Sequence, residues 1–345
     1  MEKLSKRQQN REKECMFDFK ITSVGPLRNC LKKIVIMSSF TLAMTGVSMS
    51  SAHAISLGTA GDYNAFIFGS FISTSSDVEG RLAAGGDVTL GSTVGSGLAT
   101  DQSGTTDTLI VGKTLTWTNA EVQNGNVKVG GAAYVSGGAK VKDGNLNDNL
   151  GANLPIDFAT EKTNLESLSA ELASRTVNGT AQSQYGGISL SGDGTSALQV
   201  FNITGSALST STYYSFITNN IPIGTTLLFN VSGASVTMNG GTNIFYTGQD
   251  LNYNVLFNFY EATSLTIQSI AVPGSILAPY ASVTANNGNI DGTIIAASWT
   301  GGMELHNVPF ESTSSSPDPV PEPSTMMLLG TGLIGLAGLA RRVKQ

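Results

Sequence analysis

From Ile55 onward this 345-residue chain contains no cysteine; Cys15 and Cys30 are its only two. That excludes a disulfide framework and thiol chemistry from everything after residue 54. Basic residues are almost as scarce. Residues 55–318 hold seven Lys/Arg against 20 Asp/Glu, a balance of −13. Such a surface repels phosphate backbones, which excludes nucleic acid as a partner. Histidine is reduced to His306 over the same stretch, so no cluster of imidazoles is available for a metal or a relay. The Gly pairs in "GGDVTLG" lack the Lys and the following helix of a phosphate loop and are turns.

What is present begins with a leader. The first 33 residues carry nine of the 19 Lys/Arg and run into an apolar stretch, Ile34–Met49. "SAHA" follows, with Ala52 and Ala54 in the small-x-small pattern that signal peptidase accepts. Residues 1–54 are therefore expected to be a secretory leader, with Met1 or Met16 as its start and Ile55 as the first mature residue.

The other end is "VPEPSTMMLLGTGLIGLAGLARRVKQ". Residues 326–340 are apolar or small and would reach about 22 Å as a helix, short of a bilayer core of roughly 30 Å. Arg341, Arg342 and Lys344 follow and would stop translocation. Residues 311–320 are rich in Ser and Pro and form a linker. Residues 321–345 resemble the PEP-CTERM sorting tail. The resemblance implies that an exosortase reads Pro321, Glu322 and Pro323 while the 326–340 segment is transiently inserted in the membrane. The plainer alternative is a tail anchor that is never cut.

Between leader and linker, residues 55–310 are expected to form one mainly β domain. Short runs such as "DVTL", "TLTWT" and "LLFNVSG" alternate with Gly and Asn-Gly, the signature of strands and turns. "GSILAPYASV" at Gly274 and "GTIIAASWTG" at Gly292 are offset by 18, placing Ile276 on Ile294 and Ser282 on Thr300. "VGKTLTWTNA" and "VGGAAYVSGG" repeat the offset, with Leu115 on Ala133 and Trp117 on Val135. That period predicts an irregular right-handed β-solenoid of about 18 residues per coil; a β-sandwich is the alternative. Phe158, Leu165, Leu168 and Leu172 fall at helical spacing behind Asp157, predicting one flanking helix over 158–175 that stops at Asn178-Gly179.

Candidate chemistry is sparse. Glu304 and His306 share a strand face at i, i+2, but two ligands fall short of the three or four that zinc takes. Asp62, Asp77, Glu79 and Asp87 cluster in the first coils and could pair as in a glycan-cleaving site. "KDGNLNDN" (142–149) offers hard oxygens to calcium, without a known loop spacing. Ice binding would favour a flat, regular threonine ladder, and the sequence shows isolated cases such as Thr116 and Thr118. No cofactor, metal site or catalytic set is expected.

"LGTAGDYNAFIFGSFISTSSDVEGRLAAGGDVTL" (57–90) and "PGSILAPYASVTANNGNIDGTIIAASWTGGMELHNVPF" (273–310) resemble the start and end of the choice-of-anchor A domain. The resemblance implies an exported surface or matrix protein of adhesive character with no established enzymatic activity. Solenoid faces rich in Ser, Thr, Asn and Tyr would touch extracellular polysaccharide or neighbouring cells through many weak contacts, so an adhesive or polysaccharide-associated role, and not an enzyme, is expected. The body also resembles ice-binding-type β-solenoids with a helix along one side. A glycan-acting enzyme and an ice-binding-like protein are the alternatives.

Overall fold

The computed structural model describes residues 54–100, 104–211, 213–216, 221, 224–240 and 253–311. Residues 1–53, including Ala52, and 312–345, including the whole sorting tail, lie outside the described residues. Within them the body is a parallel coil of strands with three faces, so the antiparallel pairing of a sandwich is absent from its 17-stranded sheet.

The coils are not stacked in chain order. Strand Ala65–Ile67 pairs on one side with Leu82–Ala84 and on the other with Ile294–Gly301. Phe71 pairs with both Val88 and Trp299, and Val78 with both Val94 and Leu305. The first coil is thus inserted beside the last on all three faces. From this join the chain winds outward through Leu109–Val111, Val127–Val129 and Leu146–Asn147 to one end of the stack. It then crosses to the far end and winds back through Leu198–Thr204, Thr226–Ser232, Asn254–Asn258 and Ser275–Asp291.

Alternation along each short strand sends β-branched, leucine and aromatic side chains inward. Phe201, Phe229 and Phe257 stack in register, centroids 5.2 and 5.0 Å apart. Corners must be narrow for neighbouring coils to hydrogen-bond. At one of them Gly85, Gly112 and Gly130 lie over one another, and a Cβ on Gly112 or Gly130 would strike the carbonyl oxygen of the glycine before it in the stack.

The crossing is made by helix α1, Phe158–Ala173, capped by Asp157, whose Oδ1 accepts from Ala159 N at 3.1 Å and Thr160 N at 3.2 Å. Sixteen residues give about 24 Å at ~1.5 Å each. Five inter-strand steps of ~4.8 Å give the same length, and five steps separate strand 82–84 from strand 226–232. Helix contacts mark both limits: Phe158 lies where a Cβ on Gly85 would stand, and Leu172 O accepts from Asn230 Nδ2 at 2.8 Å. Beneath the helix the outward residues Phe66, Ile110, Leu228, Leu256, Leu277 and Ile295 form a second apolar core with Leu165 and Leu172. One face of the coil is therefore buried on both sides.

Several expectations are corrected by this geometry. α1 ends at Ala173, two residues before the predicted limit, with Ser174 as its C-cap. A second short helix, α2, spans Gly205–Thr210. Ile276 does pair with Ile294, Leu115 with Ala133 and Trp117 with Val135. Ser282, however, pairs with Ser298 and not Thr300, because the register slips by two between Ala278 and Ser282. Nor is 18 a fixed period: Leu82 pairs with Leu109, 27 residues on, and Thr226 with Asn254, 28 on. Among the described residues no helix is long and apolar enough to cross a membrane.

Candidate functional site

The second face, which follows the helix-covered one along each coil, is open. Its pairings align Thr237, Thr266, Thr284 and Thr300 on consecutive strands, then Ile72, Thr89, Thr116 and Tyr134. All eight alternate with inward residues such as Val283, Trp299 and Leu115, so the row points outward. Seven steps of ~4.8 Å make it about 34 Å long. Beside it runs a row of serines, Ser235, Ser264, Ser282 and Ser298. Thr118 and Ser136 share a hydrogen bond at 2.9 Å on a third line of the same face.

This overturns the expectation that Thr116 and Thr118 are isolated. Thr116 belongs to a row of eight aligned positions, six of them threonine, with Ile72 between Thr300 and Thr89. The signal was hidden because the intervals between ladder members are unequal, Thr237 to Thr266 being 29 residues and Thr284 to Thr300 being 16. The slip after Ala278 that moved Ser282 off Thr300 is what puts Thr284 there.

The third face gathers polar groups at the join. His306 and Glu304 do lie on one strand face, Nε2 to Oε2 3.6 Å. The sequence did not reveal their neighbour Glu79, on the first coil next to Val78, which pairs with Leu305. His306 Nδ1 also meets Asp291 Oδ1 at 2.6 Å. Burial alone would lower the His306 pKa. The Asp291 hydrogen bond and the charges of Asp291, Glu79 and Glu304 outweigh it and hold the imidazole above its ordinary value.

The acidic set of the first coils is dispersed. Asp62 ends a short turn, Gly58–Asp62, on the helix side. Asp77 accepts from Ser96 Oγ at 2.9 Å, and Asp87 accepts from Thr114 N at 3.0 Å on the threonine face. Of the four, Glu79 is the one that joins the group with Glu304 and His306. Residues 142–149 lie exposed at the end of the stack, and Asp148 accepts from Ala133 N at 3.3 Å. Among the described residues one His/Asp/Glu group has metal-ligand spacing, Glu79, Glu304 and His306.

Both ends of the body lie on the helix-covered side. Ala54 is exposed while Ile55 is fully buried in the second core. Phe310 closes the same core, and Glu311 exchanges two hydrogen bonds with the Asn254 side chain, N to Oδ1 3.2 Å and O to Nδ2 2.5 Å. Asn254 opens a strand of the helix-covered face, so the chain leaves at the corner between that face and the third. In a three-sided coil that corner stands opposite the threonine face.

Comparison with known proteins places residues 56–307 in the family of ice-binding-like adhesive domains and residues 319–342 in the PEP-CTERM protein-sorting motif. That motif marks an exported surface protein and implies an exosortase substrate. A search of curated proteins finds no match. Among solved structures, an ice-binding protein from the Antarctic ascomycete Antarctomyces psychrotrophicus is 15% identical, with 74% of this chain and 100% of that one covered at a TM-score of 0.30. An ice binding protein from an Antarctic biological consortium is 13% identical, with 73% and 89% covered at 0.29. The family match spans most of the chain, and the protein belongs to the ice-binding-like adhesive domain family, with a PEP-CTERM motif behind the domain.

Proposed function

We propose that this protein is an exported surface or matrix adhesin whose threonine face lies along an extended, hydroxyl-rich partner, an extracellular polysaccharide. The observation that carries this is the row from Thr237 to Thr116 with its flanking serines. Each hydroxyl offers one donor and two acceptors, repeated at ~4.8 Å. A polymer therefore meets many weak, equivalent contacts in place of one pocket, and Tyr134 at the end of the row adds an apolar ring 63% exposed. The resemblance to the choice-of-anchor A domain accords with such a role. In this reading the solenoid winds right-handed, at about 18 residues per coil where no turn is inserted.

In this scheme signal peptidase cuts after Ala54, with Ala52 and Ala54 in its pockets, where exposed chain gives way to the buried Ile55. The 326–340 segment then halts in the membrane, held by Arg341, Arg342 and Lys344. Exosortase reads Pro321, Glu322 and Pro323. The body binds without turnover, and the glycan-acting enzyme is the competing view. A glycan-binding array run beside a reducing-end release assay separates them. Binding without release, abolished by Thr284→Lys with Thr300→Lys, supports adhesion; release of reducing ends overturns it.

The run of four consecutive threonines, Thr237, Thr266, Thr284 and Thr300, also favours a second reading, in which the threonine face binds ice. Inhibition of ice recrystallisation by the purified protein, lost in the same double variant, would support it over polysaccharide binding.

A further inference from the structure

At the join between the two halves of the chain, a ring nitrogen of His306 and one carboxylate oxygen from each of Glu79 and Glu304 lie within 4.8 Å of one another. The Nε2 to Glu304 Oε2 distance of 3.6 Å is too long for a hydrogen bond of normal length. It is close to the ~3.3 Å that separates two donors on one tetrahedral ion with bonds of ~2.0 Å. The other nitrogen is occupied: Nδ1 donates to Asp291 Oδ1 at 2.6 Å, and the same oxygen accepts from Asn289 Nδ2 at 2.7 Å. With its proton held at Nδ1 by the Asp291 carboxylate, the imidazole leaves Nε2, on the Glu304 side, as the nitrogen open to an ion. A carboxylate behind a ligating imidazole is the usual support of a metal-bound histidine.

We propose that Glu79, Glu304 and His306 form a site for a zinc-like divalent cation, with Asp291 as positioning residue, and that the ion staples the first coil to the last. One nitrogen and two carboxylates suit Zn²⁺ and its borderline neighbours; Ca²⁺ and Mg²⁺ prefer all-oxygen sets. Glu304, His306 and Asp291 keep 44%, 33% and 38% of their side-chain surface exposed, so water can complete the coordination. Glu79 comes from the first coil and the other two ligands from the last, next to the Val78–Leu305 bridge. Coordination therefore adds to the strand pairing, core packing and side-chain hydrogen bonds that join these segments, among them Asn307 N to Glu79 Oε2 at 3.0 Å and Asn64 Nδ2 to His306 O at 2.9 Å. The two ligands visible on one strand were too few for a site; folding supplies the third.

The test uses the exported protein, stripped with chelator and titrated with Zn²⁺ by calorimetry, with Co²⁺ as a spectroscopic substitute. One ion per chain at micromolar affinity or tighter is expected, with visible Co²⁺ bands of a four-coordinate site and a higher Tm that chelator reverses. Glu79→Gln and His306→Gln should each weaken binding more than tenfold while leaving the metal-free Tm near that of the stripped parent. Asp291→Asn should weaken it by roughly 10–100-fold. Absence of saturable Zn²⁺ binding, or full affinity in Glu79→Gln, would overturn the proposal. A lower metal-free Tm in these variants without any Zn²⁺ response would identify a purely hydrogen-bonded cluster and overturn it equally.

Discussion

Phe71 and Trp299 stack with ring centroids 5.9 Å apart and planes 8° from parallel, across the join between the first coil and the last. Both rings are buried, so Phe71→Ala should cost about 3–5 kcal/mol in denaturant unfolding. Trp299 behaves differently. Its buried indole Nε1 has no protein partner among the described residues. Trp299→Phe keeps the stacking and discards the unpaired donor, and should cost less than about 1.5 kcal/mol.

Asn258 is fully buried and clamps α1 to the coil. It donates to Ser169 O and Asn230 Oδ1, both at 2.9 Å, and accepts from Ser169 Oγ at 2.6 Å. Asn258→Ala strands those partners, each worth about 1–3 kcal/mol when left unsatisfied. A loss of roughly 2–4 kcal/mol in stability, with protection from amide exchange falling first in residues 158–173, is the expected outcome.

Alkaline pH should loosen the fold through Tyr63. Burial pushes its phenol up to about 12, against the pull of the Arg81 guanidinium 4.3 Å over the ring. An unfolded tyrosine titrates near 10, so between about pH 10 and 12 the unfolded chain has released a proton that the folded chain still holds. Stability is therefore intact below pH 10 and declines as pH rises toward 12. Urea midpoints at pH 9 and 11.5 should differ more for the parent than for Tyr63→Phe.

Changes on the threonine face should spare the fold. Thr284 and Thr300 are exposed, and their exchange for Lys should alter stability by no more than about 0.5 kcal/mol each. Equal melting temperatures with loss of the proposed polysaccharide binding would separate the face's role from its scaffold.

The helix was legible because its signals are local: Asp157 as cap and leucines at helical spacing act within a few residues of each other. Strand pairs such as Leu115–Ala133 were legible because no insertion separates those coils. The threonine ladder, the Glu79–His306 meeting and the insertion of the first coil beside the last were not. Each depends on hydrogen bonding between segments separated by irregular turns, so no fixed period in the sequence carries them. The two-residue slip after Ala278 shows the sensitivity: it changes every outward partner beyond it.

The position of the last coil has a mechanical consequence for any load applied to the chain beyond Glu311. A pull on the chain beyond Glu311 reaches first strand Glu304–His306, bonded to Asn289–Asp291 on one edge and at Val78 on the other, and then strand 294–301, which is likewise bonded to a neighbour along each edge. A terminal coil under the same load could be peeled away one pair at a time. Here the force enters in the interior of the stack, where the strand can leave only by shearing two ladders together, and the outer coils stay unloaded.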